Sequence, residues 1–154
     1  MTVLSPELRA WIAPGLAGVI ASVDAEGQPQ IARVWAARAL PDGDILEIYV
    51  QRTASSALLA GLDRAALNLI DVTTYRSRAF KGQCVVATAA VDQAFFEESL
   101  AAFERAVTAV GMQAGSAERI LAASSEPRST VVLHLTVDSV FDQSPKRGAG
   151  ARLS

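Results

Sequence analysis

One cysteine, one histidine and two lysines stand in a chain of 154 residues. A single cysteine excludes an intrachain disulfide framework, and one cysteine with one histidine is too few soft ligands for a zinc cluster. No metal site is expected. No apolar run approaches the roughly 18 residues that span a bilayer. The start, Met1-Thr2-Val3-Leu4-Ser5-Pro6-Glu7, has neither the basic region nor the apolar stretch of a secretory signal. The expectation is a soluble, cytoplasmic protein with no membrane contact. A formal charge of −2 excludes strong basicity as a whole-chain property, and with it a nucleic-acid partner. The motifs Gly-x-Gly-x-x-Gly, Gly-x-x-x-x-Gly-Lys-Ser/Thr and Gly-x-Ser-x-Gly are all missing, so dinucleotide folds, nucleoside triphosphatases and α/β-hydrolases are unsupported.

What is present is mostly small and apolar. The hydrophobic share is 51%. Alanine supplies 29 of those residues, which leaves a core of ordinary size for one domain over residues 1–154. The cations are 12 arginines against the two lysines.

Ser5-Pro6-Glu7 reads as an N-cap, a first-turn proline and an acid at a helix start, with Pro14-Gly15 as the stop. The spacing predicts strands over 16–23, 30–40 and 45–51, separated by Asp24-Ala25-Glu26-Gly27 and Pro41-Asp42-Gly43-Asp44. In the third, Leu46, Ile48 and Val50 take one face and Glu47, Tyr49 and Gln51 the other. A helix follows over 53–62, then strands over 67–72 and 80–91. Asp92 caps a helix with a stripe of Phe95, Phe96, Leu100, Phe103, Val107 and Val110, ended by Gly111. Ser116 opens a short helix to residue 121. The last strand is expected over 129–141, with Val131, Leu133, Leu135, Val137 and Phe141 on one face. The tail from about 143 reads as irregular. The fold class is mostly β (α+β): six antiparallel strands closing a small barrel, with helices flanking it.

The densest polar stretch is Thr73-Thr74-Tyr75-Arg76-Ser77-Arg78-Ala79-Phe80-Lys81-Gly82. Three cations beside hydroxyls at a strand end suit either an anion or plain solvation. Arg33 alternates onto the face of Ile31 and Trp35, where it needs a partner, solvent or a ligand. Arg38 falls on the opposite face with Val34. Ser55 and Ser56 open a helix as caps or as hydroxyls for a phosphate. Cys84 reads as a core thiol on the face of Phe80 and Val86, and His134 as structural.

Five segments in order resemble one family: residues 18–29, Arg33-Val34-Trp35, Ile48-Tyr49-Val50 with the serine-bearing helix start, residues 75–82, and Val140-Phe141-Asp142-Gln143-Ser144-Pro145 with Gly148-Ala149-Gly150. Together they resemble the pyridoxamine 5′-phosphate oxidase-like, FMN-binding split barrels. The resemblance implies a homodimer with FMN in a groove between the subunits. It implies an FMN-dependent oxidoreductase acting on a small molecule, or else a non-catalytic carrier of a flavin, deazaflavin or haem. Arg33, Val34 and Trp35 would line the ring and ribityl chain, with Tyr49 and Val50 continuing that wall. Ser55 and Ser56 would face the phosphate where oxidases of the family have Arg and Lys, with Arg52 upstream as a substitute. Arg78 and Lys81 would be secondary polar contacts. The chain also lacks the extended C-terminal region of true oxidases, which separates it from vitamin B6 chemistry.

Overall fold

Short apolar segments that alternate with period two, joined by glycine turns, can bury one face each only by closing on themselves. In the computed structural model, which describes residues 2–52, 54–111 and 130–154, they do so. The elements are α1 (Pro6–Trp11), β1 (Ala17–Val23), β2 (Pro29–Ala39), β3 (Ile45–Gln51), α2 (Ser56–Ala60), β4 (Arg64–Ile70), β5 (Ser77–Val86), α3 (Gln93–Ala109) and β6 (Thr130–Asp142). The barrel closes in the order β1-β2-β3-β6-β5-β4, with every pairing antiparallel. The helix expected from Ser116 lies outside the described residues.

Ile20, Leu46, Ile48, Val50, Leu67, Leu69, Phe80, Leu133 and Leu135 fill the interior. α1 plugs one end, where the Ser5 hydroxyl accepts from the Leu8 N–H. Asp44 ties that plug down by accepting from the backbone N–H groups of Val3 and Leu4 at 2.9 and 2.8 Å. α3 is capped by Asp92 and lies on the outside of β2 and β3, burying Phe96, Phe103 and Val107. Val110 is the C-cap and stands 40% exposed, one step past the stripe.

Two bulges change what alternation predicts. In β2 the ladder slips between Val34 and Ala36, so Trp35 is an extra residue. Beyond it the phase inverts, and Arg38 pairs with Glu47 on the outer side instead of sharing a face with Val34. In β6, Lys81 pairs with Ser139 and Gly82 with Val137, which leaves Asp138 as the extra residue. Val131 to Val137 point inward at odd positions, but after the bulge Val140 is the buried residue and Phe141 turns outward. β5 is also shorter than expected. It stops at Val86, which is 48% exposed while Cys84 is fully buried.

The tail is not loose. Val140 donates to the Ser154 carbonyl, Leu153 to Val140 and Asp142 to Ala151, so the last residues run along the edge of β6 that β3 leaves free. Arg78 holds this return. Its Nη1 donates to Asp142 Oδ1 at 2.9 Å, to the Ser144 hydroxyl at 3.1 Å and to the Ser77 carbonyl at 2.9 Å.

Gly82 sits at the β6 bulge, where a Cβ would come 1.8 Å from the Thr136 carbonyl oxygen. That neighbour is backbone in a closed ladder and cannot move aside. Gly82→Ala should therefore cost about 3 kcal/mol or more in denaturant unfolding, and an unchanged midpoint would remove this account of the bulge.

The Ser144 hydroxyl, the Lys146 ammonium and the Ser144 N–H, with Arg78 beside them, hold the Asp142 carboxyl far below the usual carboxylate range. A depressed folded pKa contributes stability above the unfolded value of about 4, and that contribution is lost as pH falls through the folded value. Asp142→Asn should lose about 3 kcal/mol at neutral pH. The gap to wild type should narrow progressively below about pH 4 in thermal melts; a gap that does not change with pH would contradict it.

Candidate functional site

α3 divides the outside of the barrel into two regions of opposite character. Beneath it, over β2 and β3, lies a charged network. Arg38 Nε donates to Glu47 Oε1 at 2.9 Å and its Nη1 to Asp92 Oδ2 at 2.8 Å. The Tyr49 hydroxyl donates to Glu47 Oε1 at 3.2 Å and accepts from the Asp92 N–H at 3.0 Å. His134 Nε2 lies 3.5 Å from Glu47 Oε2. Glu47 is 5% exposed and Tyr49 fully buried, with Phe95 and Phe96 against its ring. Every cation here has a carboxylate, so the region reads as the clamp that seats α3.

The other region is the outer face of β2, β1, β4 and β5. Its rows follow from the ladder: Arg33–Val19–Asn68–Ala79 and, one pair along, Ile31–Ala21–Ala66–Lys81. Val19, Val23 and Ile31 are exposed on it by 41%, 59% and 68%. A groove of about 130 Å³ lies at Arg33, between Val19, Asn68 and Ile70. A hollow of about 470 Å³ lies at Lys81, floored by Ala21, Val23 and Ala66 and edged by Arg64.

The four strands carry charge of one sign, and Asp63, just before β4, edges the hollow at Lys81. None of the four strands contains an Asp or a Glu. Arg64 reaches out of the sheet to Asp138 of β6. Arg33 and Lys81 have no carboxylate partner among the described residues. Arg33 lies against two rings instead, its guanidinium carbon 4.6 Å from the centroid of Trp35 and 5.2 Å from that of Phe103. Desolvation between them lowers its pKa. Lys81 Nζ stands 4.7 Å over Phe141, the ring that the β6 bulge turned outward. Two cations that meet only π faces retain most of their capacity to bind an anion.

The residues singled out in the sequence do not converge on one place. Arg33 and Lys81 both point outward, at opposite ends of this run of four strands, and Trp35 stands between Arg33 and α3. Val34 and Val50 are 3% and 0% exposed and point into the core, so their side chains reach no outer groove. Tyr49 belongs to the α3 clamp, and Arg78, 8% exposed, is committed to the tail. Arg52 is exposed just past β3. Ser55 is the buried N-cap of α2 but makes no side-chain cap bond, and Ser56 is exposed. α2 has only five residues, too few to build an appreciable dipole at its start. It packs across β1 and β2. Val19, Ala21, Ala66 and Asn68 were missed by reading motifs. The signal that finds them is the absence of acid from four strands of a chain that is acidic overall.

Cys84 is no nucleophile: burial pushes its thiol up to about 12. Among the described residues no group of three His, Cys, Asp or Glu could hold a metal ion, and no helix is long and apolar enough to cross a membrane.

No protein-family model and no curated protein matches the chain. Solved structures do. HupZ of Group A Streptococcus is 18% identical, with 96% of this chain and 98% of that one covered and a TM-score of 0.55. An F420 reductase is 16% identical over 86% of this chain and 94% of its own, with a TM-score of 0.51. A Lactobacillus delbrueckii protein, provisionally described as a pyridoxamine 5′-phosphate oxidase, is 19% identical over 92% and 95%, also at 0.51. At such identities the likeness is one of fold, and that fold is the split barrel of the pyridoxamine 5′-phosphate oxidase-like proteins.

Proposed function

We propose that the chain binds a flavin-type cofactor, FMN or a deazaflavin relative, on the outer face of β2, β1, β4 and β5, where a second copy covers it, and that it serves an oxidoreductase reaction on a small molecule. The observation that carries this reading is the outer surface of four strands without a carboxylate, bearing two cations that have no carboxylate partner among the described residues. Arg33 and Lys81 stand three strands apart in the closed six-stranded barrel and face opposite sides, each at its own hollow, so a flat cofactor meets one of them; Arg33, beside Trp35 and Phe103, is the cation this reading uses. The similarity in fold to an F420 reductase points to the same class of cofactor.

Such a cofactor, once bound, supplies the hydride or electron transfer, so the protein needs no nucleophile of its own. Arg33, beside Trp35 and Phe103, offers its guanidinium to a phosphate or carboxylate and lowers the cost of negative charge there. One chain supplies only one wall, and its exposed Val19, Val23 and Ile31 suit cover by a second copy.

The purified protein should carry flavin absorbance, or should quench the fluorescence of added FMN with saturation. Arg33→Gln should weaken that binding about tenfold or more, because a hydrogen bond to a charged group contributes about 1.5 kcal/mol or more. A colourless protein that takes up neither FMN nor a deazaflavin would overturn the reading. Saturable uptake without turnover of reduced nicotinamide against any acceptor would instead identify a carrier.

A further inference from the structure

The hollow at Lys81 is distinct from the groove at Arg33. No residue lines both: the groove lies toward the start of β1 and the end of β4, the hollow toward the end of β1 and the start of β4. The cofactor reading leaves the hollow unused. At about 470 Å³ it has room for a small molecule. Ala21 and Ala66 pair across the β1–β4 ladder and form its floor, because a side chain of one carbon leaves the space above it open. Val23, 59% exposed, and Pro29 close it toward the β1–β2 turn. Such a surface accepts a ligand's apolar groups, and the charges at its edges select the ligand.

Two charges of opposite sign edge the hollow. Lys81 of β5 is the ladder partner of Ala66. Asp63 stands three residues before Ala66, where its carbonyl accepts from the Cys84 N–H. About 10 Å of strand therefore separates the two backbones. Neither side chain forms a salt bridge among the described residues. Arg64, diagonal to Lys81 across β4 and β5, is taken by Asp138. An anion drawn to Lys81 alone meets the field of Asp63, and a cation drawn to Asp63 meets Lys81 and Arg64. Only a molecule that carries both charges gains at both ends.

We propose that this hollow binds a small zwitterion of dipeptide length with apolar side chains. Its ammonium lies against Asp63, its carboxylate against Lys81, and its side chains over Ala21, Ala66 and Val23. A single α-amino acid carries both charges on one carbon and cannot reach both partners. An extended dipeptide spans about 7 Å, and the stem of Lys81 covers the rest. That stem rests over Phe141, with Nζ 4.7 Å from the ring centroid, and at an exposed site such a contact is weak enough to be exchanged for a carboxylate. The site needs neither the flavin-type cofactor nor a second copy, so it stands or falls apart from the cofactor reading.

The test is a titration of the full chain, followed through its methyl resonances by NMR. The probes are leucyl-leucine, its N-acetyl derivative, which lacks the ammonium, and its C-terminal amide, which lacks the carboxylate. Leucyl-leucine should shift Ala21, Val23 and Ala66 and saturate in the millimolar range or below. Each blocked form should bind about threefold or more weaker, the contribution of one exposed ion pair. Lys81→Gln should abolish the difference between leucyl-leucine and its amide but keep the difference from the acetyl form. Asp63→Asn should do the reverse. Both side chains are exposed, so neither substitution threatens the fold. Equal affinity for the three probes would overturn the proposal, as would the lack of any saturable shift. So would shifts centred on Val19 and Ile70, which place the dipeptide in the other groove, or a Lys81→Gln protein that still distinguishes leucyl-leucine from its amide.

Discussion

Closure of this barrel depends on one backbone contact, between Gly82 of β5 and the Thr136 carbonyl of β6. β6 has to serve two neighbours. Its first half pairs with β3, and its second half continues along β5 after β3 has ended. An extra residue at Asp138 lets it turn between the two, and only a residue without Cβ allows the strands to come that close. The consequences run outward. Val140 replaces Phe141 in the core, and Phe141 becomes the ring beneath Lys81. The freed edge of β6 would be a template for another chain, and the returning tail occupies it, pinned by Arg78 and Asp142. The tail is thus a device of closure, and Arg78 is buried for that reason.

The second organising element is α3. A helix whose apolar stripe is this long must cover a sheet, and it covers β2 and β3, where Ala36, Tyr49 and Val132 form an apolar patch. A buried glutamate on that patch would be costly alone. Arg38 and the Tyr49 hydroxyl compensate it, and both also hold Asp92, the residue that caps α3. One network therefore satisfies a buried charge, orients a helix start and fixes where the helix lies. Beyond β2 and β3 the helix reaches only the start of β1, where Phe103 and Val107 meet Ala17, and the outside of β1 from Val19 on and of β4 is left uncovered by it. The open face is what remains after α3 has taken its share.

Much of the fold is legible in the sequence because its signals are local. Turn residues mark the β1–β2 and β2–β3 hairpins, Asp92 marks α3, and period-two patterning marks β3 and most of β6. The bulges at Trp35 and Asp138 are not legible, because no local residue demands them; they answer to the geometry of a closed sheet. That is why Arg38 and Phe141 were expected on the wrong faces. The family resemblance selected segments in the right order but did not say which side chains face out. The hairpin register by itself would set Trp35 opposite Val50; the bulge at Trp35 brings Val34 there instead and turns both valines into the core, with Arg33 facing away from them.

The two cations on the open face are not interchangeable. An arginine can lie against the rings of Trp35 and Phe103 at little cost because a guanidinium is weakly hydrated, and its fork of donors fits a phosphate or carboxylate. A lysine there would lose hydration to the rings and gain no fork. At position 81 the surroundings differ. The hollow is wider, the ring beneath is a single phenylalanine, and a compact ammonium on a flexible stem can follow a charge whose position is less fixed. In a chain that uses arginine twelve times and lysine twice, the lysine stands where reach is worth more than orientation.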